Sequence, residues 1–328
     1  MTSRPWVERL DRYQREHRWI GLPLAVVYKF ADDQGAYLTA LITYYAFLSL
    51  FPLLLLLVTV LGFLLAGDPT LQERLLTSAL SQFPVIGTQL GDNVRSLRGS
   101  TVALVVSVLT SLYGGLGVAQ AAQAAMNRIW GVPRNSRPDP LRARLRSLLV
   151  LLLFGGGLLL TTAATAAVTV AGAFAGGHGT AVRILSALAS AVVNSMLFVL
   201  AFRLLTSRDV SVRQLRGGAI GAAVAWQLLQ LLGGWYVTHR LQGAGATYGA
   251  FGIVLGLMAW LWLGAATVVL AAEVDAVRAG RLWPRSLLTP FTDDVDLTRA
   301  DESAYTSYAK SERHKGFETV QVDFDRED

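Results

Sequence analysis

Apolar residues dominate this chain in long runs separated by shorter polar stretches. Near-continuous apolar segments recur at 38–66, 101–119, 147–174, 181–205, 214–237 and 248–277. At about 1.5 Å rise per residue, about 20 helical residues cover the roughly 30 Å hydrocarbon core of a bilayer. Inside hydrocarbon every backbone polar group needs an internal partner, which leaves helices or closed barrels as spanning structures. Run lengths near 20 select helices. The expected fold class is therefore all-α: a polytopic membrane protein, a six-transmembrane-helix bundle with interfacial amphipathic helices.

The polar stretches carry patterns of their own. Trp6, Leu10, Tyr13 and His17 share one helical face among arginines, and "WIGLPLAVVYKFADD" (19–33) follows. Its apolar run ends at Lys29 after about ten residues, too short to span. Residues 1–37 are read as N-terminal interfacial helices on the inner surface. Between the first two spans, Leu71, Leu75, Leu76, Ala79, Leu80 and Phe83 recur at helical spacing before Pro84, and Ile86, Leu90, Val94 and Leu97 resume it. Two short amphipathic helices at the outer interface fit 67–100, either capping the bundle or touching lipid. The part from 278 to 328 is read as a cytoplasmic tail; from about 286 it is polar, acid-rich and aperiodic, and is expected to be disordered.

The first span departs from a plain apolar helix. Leu38, Ile42, Tyr45, Ser49, Pro52, Leu56 and Thr59 follow at spacings of three and four and so line one face, with Thr39 and Thr43 beside it. The hydroxyls of Tyr45, Ser49 and Thr59 are costly against lipid, so this face is expected to point into the bundle. Pro52 has no N–H to give the Leu48 carbonyl and should bend the helix. A translocation path would use such a face, and so would interhelical packing; both readings stand. Gly217 and Gly221, and Gly252 and Gly256, form GxxxG pairs that suit close helix approach.

Composition agrees: 53% of the 328 residues are hydrophobic and 16% charged, with mean hydropathy +0.43, whereas soluble domains carry about 25% charge. Charge placement adds orientation. Connections on the same side as the termini hold 24 Lys and Arg, those on the opposite side 5, which puts both termini in the cytoplasm. The pI of about 9.8 follows from this asymmetry, so a nucleic-acid partner is not expected. There is no cysteine, hence no disulfide or thiolate site. The N-terminus lacks an apolar core with a small-residue cleavage site, so no cleavable leader is expected.

Polar chemistry within the spans is sparse. Asn194 sits midway along the fourth span and can act in packing or a path. Arg203 lies near the cytoplasmic end of the fourth span and Glu273 near that of the sixth. Asp275 has Arg278 one turn on, but Glu273 has Ala276 and Val277 at those spacings. An intramembrane charge without a local partner should find one on another helix, and Arg203 is the expected partner of Glu273. No phosphate-cradling GxxxxGK[ST] loop and no nucleophile–base constellation is present, so neither cofactor nor catalytic residue is assigned.

Three segments carry a resemblance. "LITYYAFLSLFPLLLLLVTVLG" (41–62), "MNRIWGV" (126–132) and "YGAFGIVLGLMAWLWLGAATVVLAAEVDAV" (248–277) resemble signatures of the YihY/BrkB family of bacterial inner-membrane proteins. The last segment of that family usually ends in Gly-Ala-Glu; here Ala271 replaces the glycine, and Ala272 and Glu273 carry over. The resemblance implies an envelope-integrity protein of the bacterial cell membrane, a translocase or transport component for lipid or a lipophilic envelope precursor. The alternatives are a non-transporting scaffold that organises envelope machinery, or a small-solute transporter. Its partners would be membrane lipids and envelope proteins. An old family label, ribonuclease BN, would need clustered metal ligands. His17, His178, His239 and His314 are scattered, no metal site can be assembled from them, and the chain is not expected to be an enzyme.

Overall fold

The computed structural model describes residues 5–64, 70, 101–174, 179–236, 245–293 and 295–324. Among them every regular element is helical: α1 (Pro5–Glu16), α2 (Arg18–Asp32), α3 (Gly35–Leu64), α4 (Thr101–Ile129), α5 (Pro140–Phe174), α6 (Gly179–Leu205), α7 (Val212–Tyr236), α8 (Gly245–Gly280) and α9 (Arg299–Ser311), with a 3-10 turn at Arg134–Ser136. The all-α class is as expected. Six of the described helices, α3 to α8, run 25 residues or more and coincide with the six apolar runs. Within α8, Val254–Gly280 is long and apolar enough to cross a membrane by itself, with mean hydropathy 2.1; the apolar stretches Gly35–Leu50 and Ala191–Leu205 are shorter. The amphipathic segment expected at 67–100 lies outside the described residues, apart from Thr70.

The N-terminal interfacial segment forms two helices that part at His17, whose backbone is extended. α3 stays helical through Pro52. Its longest contact is with α4; α8 packs on α7, α3 and α2, and α6 packs chiefly on α5 and α7. The core is built from small residues, including Ala119, Ala125, Ala219, Ala222, Ala223 and Ala272, with Met126, Phe202 and Val269 filling between them. Small side chains let helix axes approach closely, the usual packing device where hydrophobic burial gives no drive. Large apolar residues face outward instead: Leu152, Val192, Met196 and Leu231 are 63–69% exposed. A surface of that kind suits hydrocarbon, not water.

Two expectations are corrected. The tail is not disordered throughout, because α9 starts on a capping box in which Thr298 and Asp301 satisfy each other's backbone N–H. Its Ala304 is buried with Ala25 and Val26 of α2 and Val277 of α8. The small apolar residues of that stripe left little periodic signal in the sequence. The Gly217/Gly221 pair does not form the seam either. A side chain at Gly218 would meet the Ala271 carbonyl oxygen at 2.1 Å and one at Gly217 the Arg278 guanidinium at 2.5 Å, while one at Gly221 would meet nothing within 4 Å. Adjacent glycines, not a spaced pair, admit α8.

Candidate functional site

The ends of α4 and α8, the starts of α5 and α7, the α6–α7 turn and all of α2 and α9 meet at one end of the bundle, and charge is concentrated there. On α2, Gly21, Ala25 and Lys29 recur every four residues on the buried face, so a lysine is carried inward by an otherwise small, apolar stripe. Its Nζ lies 3.2 Å from Oε2 of Glu273 on α8 and also pairs with Asp33 one turn on. Glu273 and Asp33 have fully buried side chains, and that of Lys29 is 4% exposed. Arg128 at the end of α4 approaches Asp33 at 3.5 Å and holds Glu312, after α9, at 2.7 Å; Arg134 takes the other Glu312 oxygen at 2.7 Å. Lys29, Arg128, Asp33 and Glu273 thus bring two basic and two acidic groups together.

Burial alone would pull the Lys29 ammonium down, but Glu273 and Asp33 outweigh it and hold its pKa above the ordinary lysine value. Burial lifts Asp33 above the usual carboxylate range, against the pull of Lys29 and Arg128. At Glu312 a small burial penalty is overcome by Arg134 and Arg128, which keep it below the carboxylate range. A second cluster fastens the tail. Arg285 pairs with Asp301 and, at 3.3 Å, with Asp32, which also accepts from the Tyr308 hydroxyl at 3.2 Å.

Arg203 is therefore not the partner of Glu273. It is exposed on α6, while the lysine that cut short the apolar run of α2 supplies the counter-charge. Packing decides this: α8 lies against α2. The available signal was Lys29 itself, at four-residue spacing from Gly21 and Ala25 and one turn before Asp33. Asp275, expected to rely on Arg278, accepts from the Gly218 N–H at 2.6 Å and so joins α8 to α7.

The described part of the α3 face is turned inward: Thr39, Ile42, Thr43 and Ser49 are buried and Tyr45 and Pro52 half-buried. It is filled by α4. A side chain at Gly114 would come within 2.5 Å of Ser49 Cβ, and one at Gly117 within 2.3 Å of the Tyr45 ring. Two of the hydroxyls bond within their own helix, Thr43 to the Thr39 carbonyl at 2.8 Å and Ser49 to that of Ala46 at 3.1 Å, while the buried Thr39 hydroxyl has no partner among the described residues. The sequence reading did not single out the α4 glycines that receive this face. The Thr59 side chain lies outside the described residues. Asn194 is half-buried on α6, whose main neighbours are α5 and α7, so it is not gathered with the α3 face.

A cavity of about 620 Å³ opens beside the charge cluster, lined by Arg18 and Leu22 of α2, Arg278 of α8, and Arg281 and Trp283 just beyond it. The Arg18 guanidinium lies 4.6 Å over the Trp283 ring, a stacking contact that orients its fork. Cationic and apolar walls thus share one concavity. A second cavity of about 520 Å³ lies among the α4–α5 connection, the α6–α7 turn and α9, with Ser136 and Ser207 in its wall. Among the described residues, no group of three His, Cys, Asp or Glu is placed to hold a metal ion.

A family model described as Virulence factor BrkB matches residues 26–290, a range that holds Lys29, Glu273 and Arg281. A ribonuclease-like protein of Bacillus subtilis (strain 168), YfkH, is 30% identical over 86 residues, covering 26% of this chain and 30% of that protein. The matched region is thus under a third of the relative's length. No solved structure matches.

Proposed function

The chain belongs to the BrkB family of membrane proteins, and from that premise we propose that it is a multi-pass component handling lipid or a lipophilic envelope precursor, serving envelope integrity without hydrolytic chemistry of its own. In this reading α3 to α8 all cross the bacterial cell membrane. Both termini lie in the cytoplasm, as the 24-to-5 distribution of Lys and Arg supports. One observation carries the lipid reading: the cavity between α2 and the end of α8, where Arg18, Arg278 and Arg281 stand beside Leu22 and Trp283. A site that is cationic and apolar at once, placed where a membrane helix ends, fits an amphiphile better than a fully soluble solute. Purified protein reconstituted into liposomes with fluorescent lipids should make inner-leaflet label accessible to a membrane-impermeant quencher faster than in empty vesicles. Equal rates would overturn the transport reading.

The second reading, a scaffold that organises envelope machinery, draws on a different observation. The part of the α3 face on which a path was conceivable is filled by the Gly114 and Gly117 side of α4. A protein that only scaffolds would leave lipid exchange at the empty-vesicle rate and still be retained by its envelope partners in pull-downs.

A further inference from the structure

We propose that the cavity bounded by Arg18, Arg278 and Arg281 binds the phosphate headgroup of an anionic phospholipid from the adjoining leaflet. This deepens the lipid-handling reading of the same cavity and rests on it. The lining holds three guanidinium groups and no carboxylate. Among the described residues none of the three has an acid within ion-pair distance; Asp275, the acid one turn back on α8, accepts from the Gly218 N–H and attracts Arg278 from beyond that distance. Guanidinium forks match phosphate oxygens in planar, two-point contacts, so a cavity lined by three of them suits an anion better than a neutral polar group. Arg18 is held in plane by Trp283 at 4.6 Å, and Leu22, one turn further along α2, supplies an apolar wall next to it.

Two observations favour a headgroup over free phosphate. The cavity, at about 620 Å³, is far larger than an orthophosphate needs and falls within the range of about 300–1,000 Å³ typical of small-molecule sites. Beside Arg18 and Leu22, α2 also presents an outward stripe, Trp19, Pro23 and Val27, at four-residue spacing, with Trp19 69% and Val27 58% exposed. Such a stripe on an interfacial helix enters the headgroup and upper acyl region. The cavity mouth is thereby set at the depth where phospholipid phosphates lie, and acyl chains can run along the stripe.

The test uses the full chain in a neutral detergent, titrated with dihexanoyl phosphatidylglycerol, with dihexanoyl phosphatidylcholine and with inorganic phosphate. The anionic lipid should bind at least about ten-fold more tightly than the zwitterionic lipid, and inorganic phosphate more weakly than the anionic lipid by a similar factor. At about 1 kcal/mol for each cation near an anionic lipid headgroup, R278Q/R281Q should lose about 25-fold in affinity for phosphatidylglycerol and little for phosphatidylcholine, with an unchanged melting temperature. If that variant melts early, R18E, at an exposed position, should give the same selective loss. Equal affinity for the two lipids, or an anionic preference that survives these substitutions, would overturn the proposal. Phosphate binding as tightly as phosphatidylglycerol would overturn it too, in favour of a soluble ligand. Selective, arginine-dependent binding by a protein that moves no lipid would keep this site and sink the transport reading. Transport of both lipid classes without dependence on the arginines would do the reverse.

Discussion

At the residue scale, the Lys29–Glu273 pair holds two helices together through charge that has left water. Removing Lys29 strands Glu273, which costs about 3–5 kcal/mol for a buried pair, whereas removing Glu273 leaves Lys29 its pairing with Asp33. Lys29→Ala should lower the stability of the detergent-solubilised protein by that order and Glu273→Ala by less, and the double variant by less than the sum. Arg203→Ala, at an exposed position, should stay within about 0.5 kcal/mol; thermal or denaturant melts on all four report the pattern. Additive losses would separate Lys29 from Glu273. The pH sign follows from Lys29. Its folded value is raised, so its contribution is complete below the unfolded lysine pKa, near 10.5, and is lost as pH rises through the folded value. The wild type, not Lys29→Ala, should therefore lose stability on that alkaline limb. Ser49 gives a different test. Its Cβ occupies the space left by the missing side chain of Gly114, so Ser49→Leu should overpack the α3–α4 seam and cost about 1–3 kcal/mol. A stable Ser49→Leu protein that no longer moves lipid would revive the path at this face.

At the element scale, α9 depends on its two ends. The Thr298–Asp301 box starts it, and replacing a capping threonine by alanine costs about 0.5–2 kcal/mol. Thr298→Ala should speed limited proteolysis in 299–311 and hydrogen exchange there, while the core of α8 stays protected. At the far end, Glu312 bridges Arg128 and Arg134. Its pKa is depressed in the folded protein, so the bridge contributes fully above the unfolded glutamate value of 4.5 and is lost as pH falls through the folded one. Protection from hydrogen exchange at 309–313, taken relative to the intrinsic rate at each pH, should fall on acidification below that value in the wild type and stay level over the same window in Glu312→Gln. An unchanged profile would leave the bridge without influence on α9.

At the scale of the whole molecule, the absence of cysteine makes single-cysteine labelling a clean report of the proposed topology. Ser136 and Ser207 line one cavity although they belong to different connections, so cysteines placed there must report the same side. On the proposed topology both are protected from an impermeant reagent added to intact cells, and cysteines at Gln82 and Gln242 are labelled. Labelling at Ser136 or Ser207 would overturn the orientation. The same end of the bundle carries the buried pairs, the tail helix and the arginine cavity. A lipid headgroup there would touch α2 and α8, the two helices that Lys29 and Glu273 tie together.

The positions of the long helices were legible in the sequence, because local apolar density over about 20 residues decides where such helices form, and no distant contact is needed to read it. The inward turn of Ile42, Tyr45 and Ser49 was legible for a similar reason, since residues three and four apart share a face wherever the helix packs. The counter-ion of Glu273 was not legible. Lys29 and Arg203 both stand near helix ends, and only the seating of α2 against α8 puts one within 3.2 Å and leaves the other exposed. Nor did spacing reveal which glycines form the seams: Gly221 obeyed the GxxxG rule and meets open space, while Gly114, Gly117 and Gly218 meet Ser49, Tyr45 and Ala271. The tail helix escaped because its burial comes from α2 and α8, remote in sequence, and the face it buries there rests on Ala304 with a half-buried Tyr308 beside it. The three arginines of the cavity come from two separate segments. Each looked like an ordinary inner-surface charge until α2 folded back beside the end of α8.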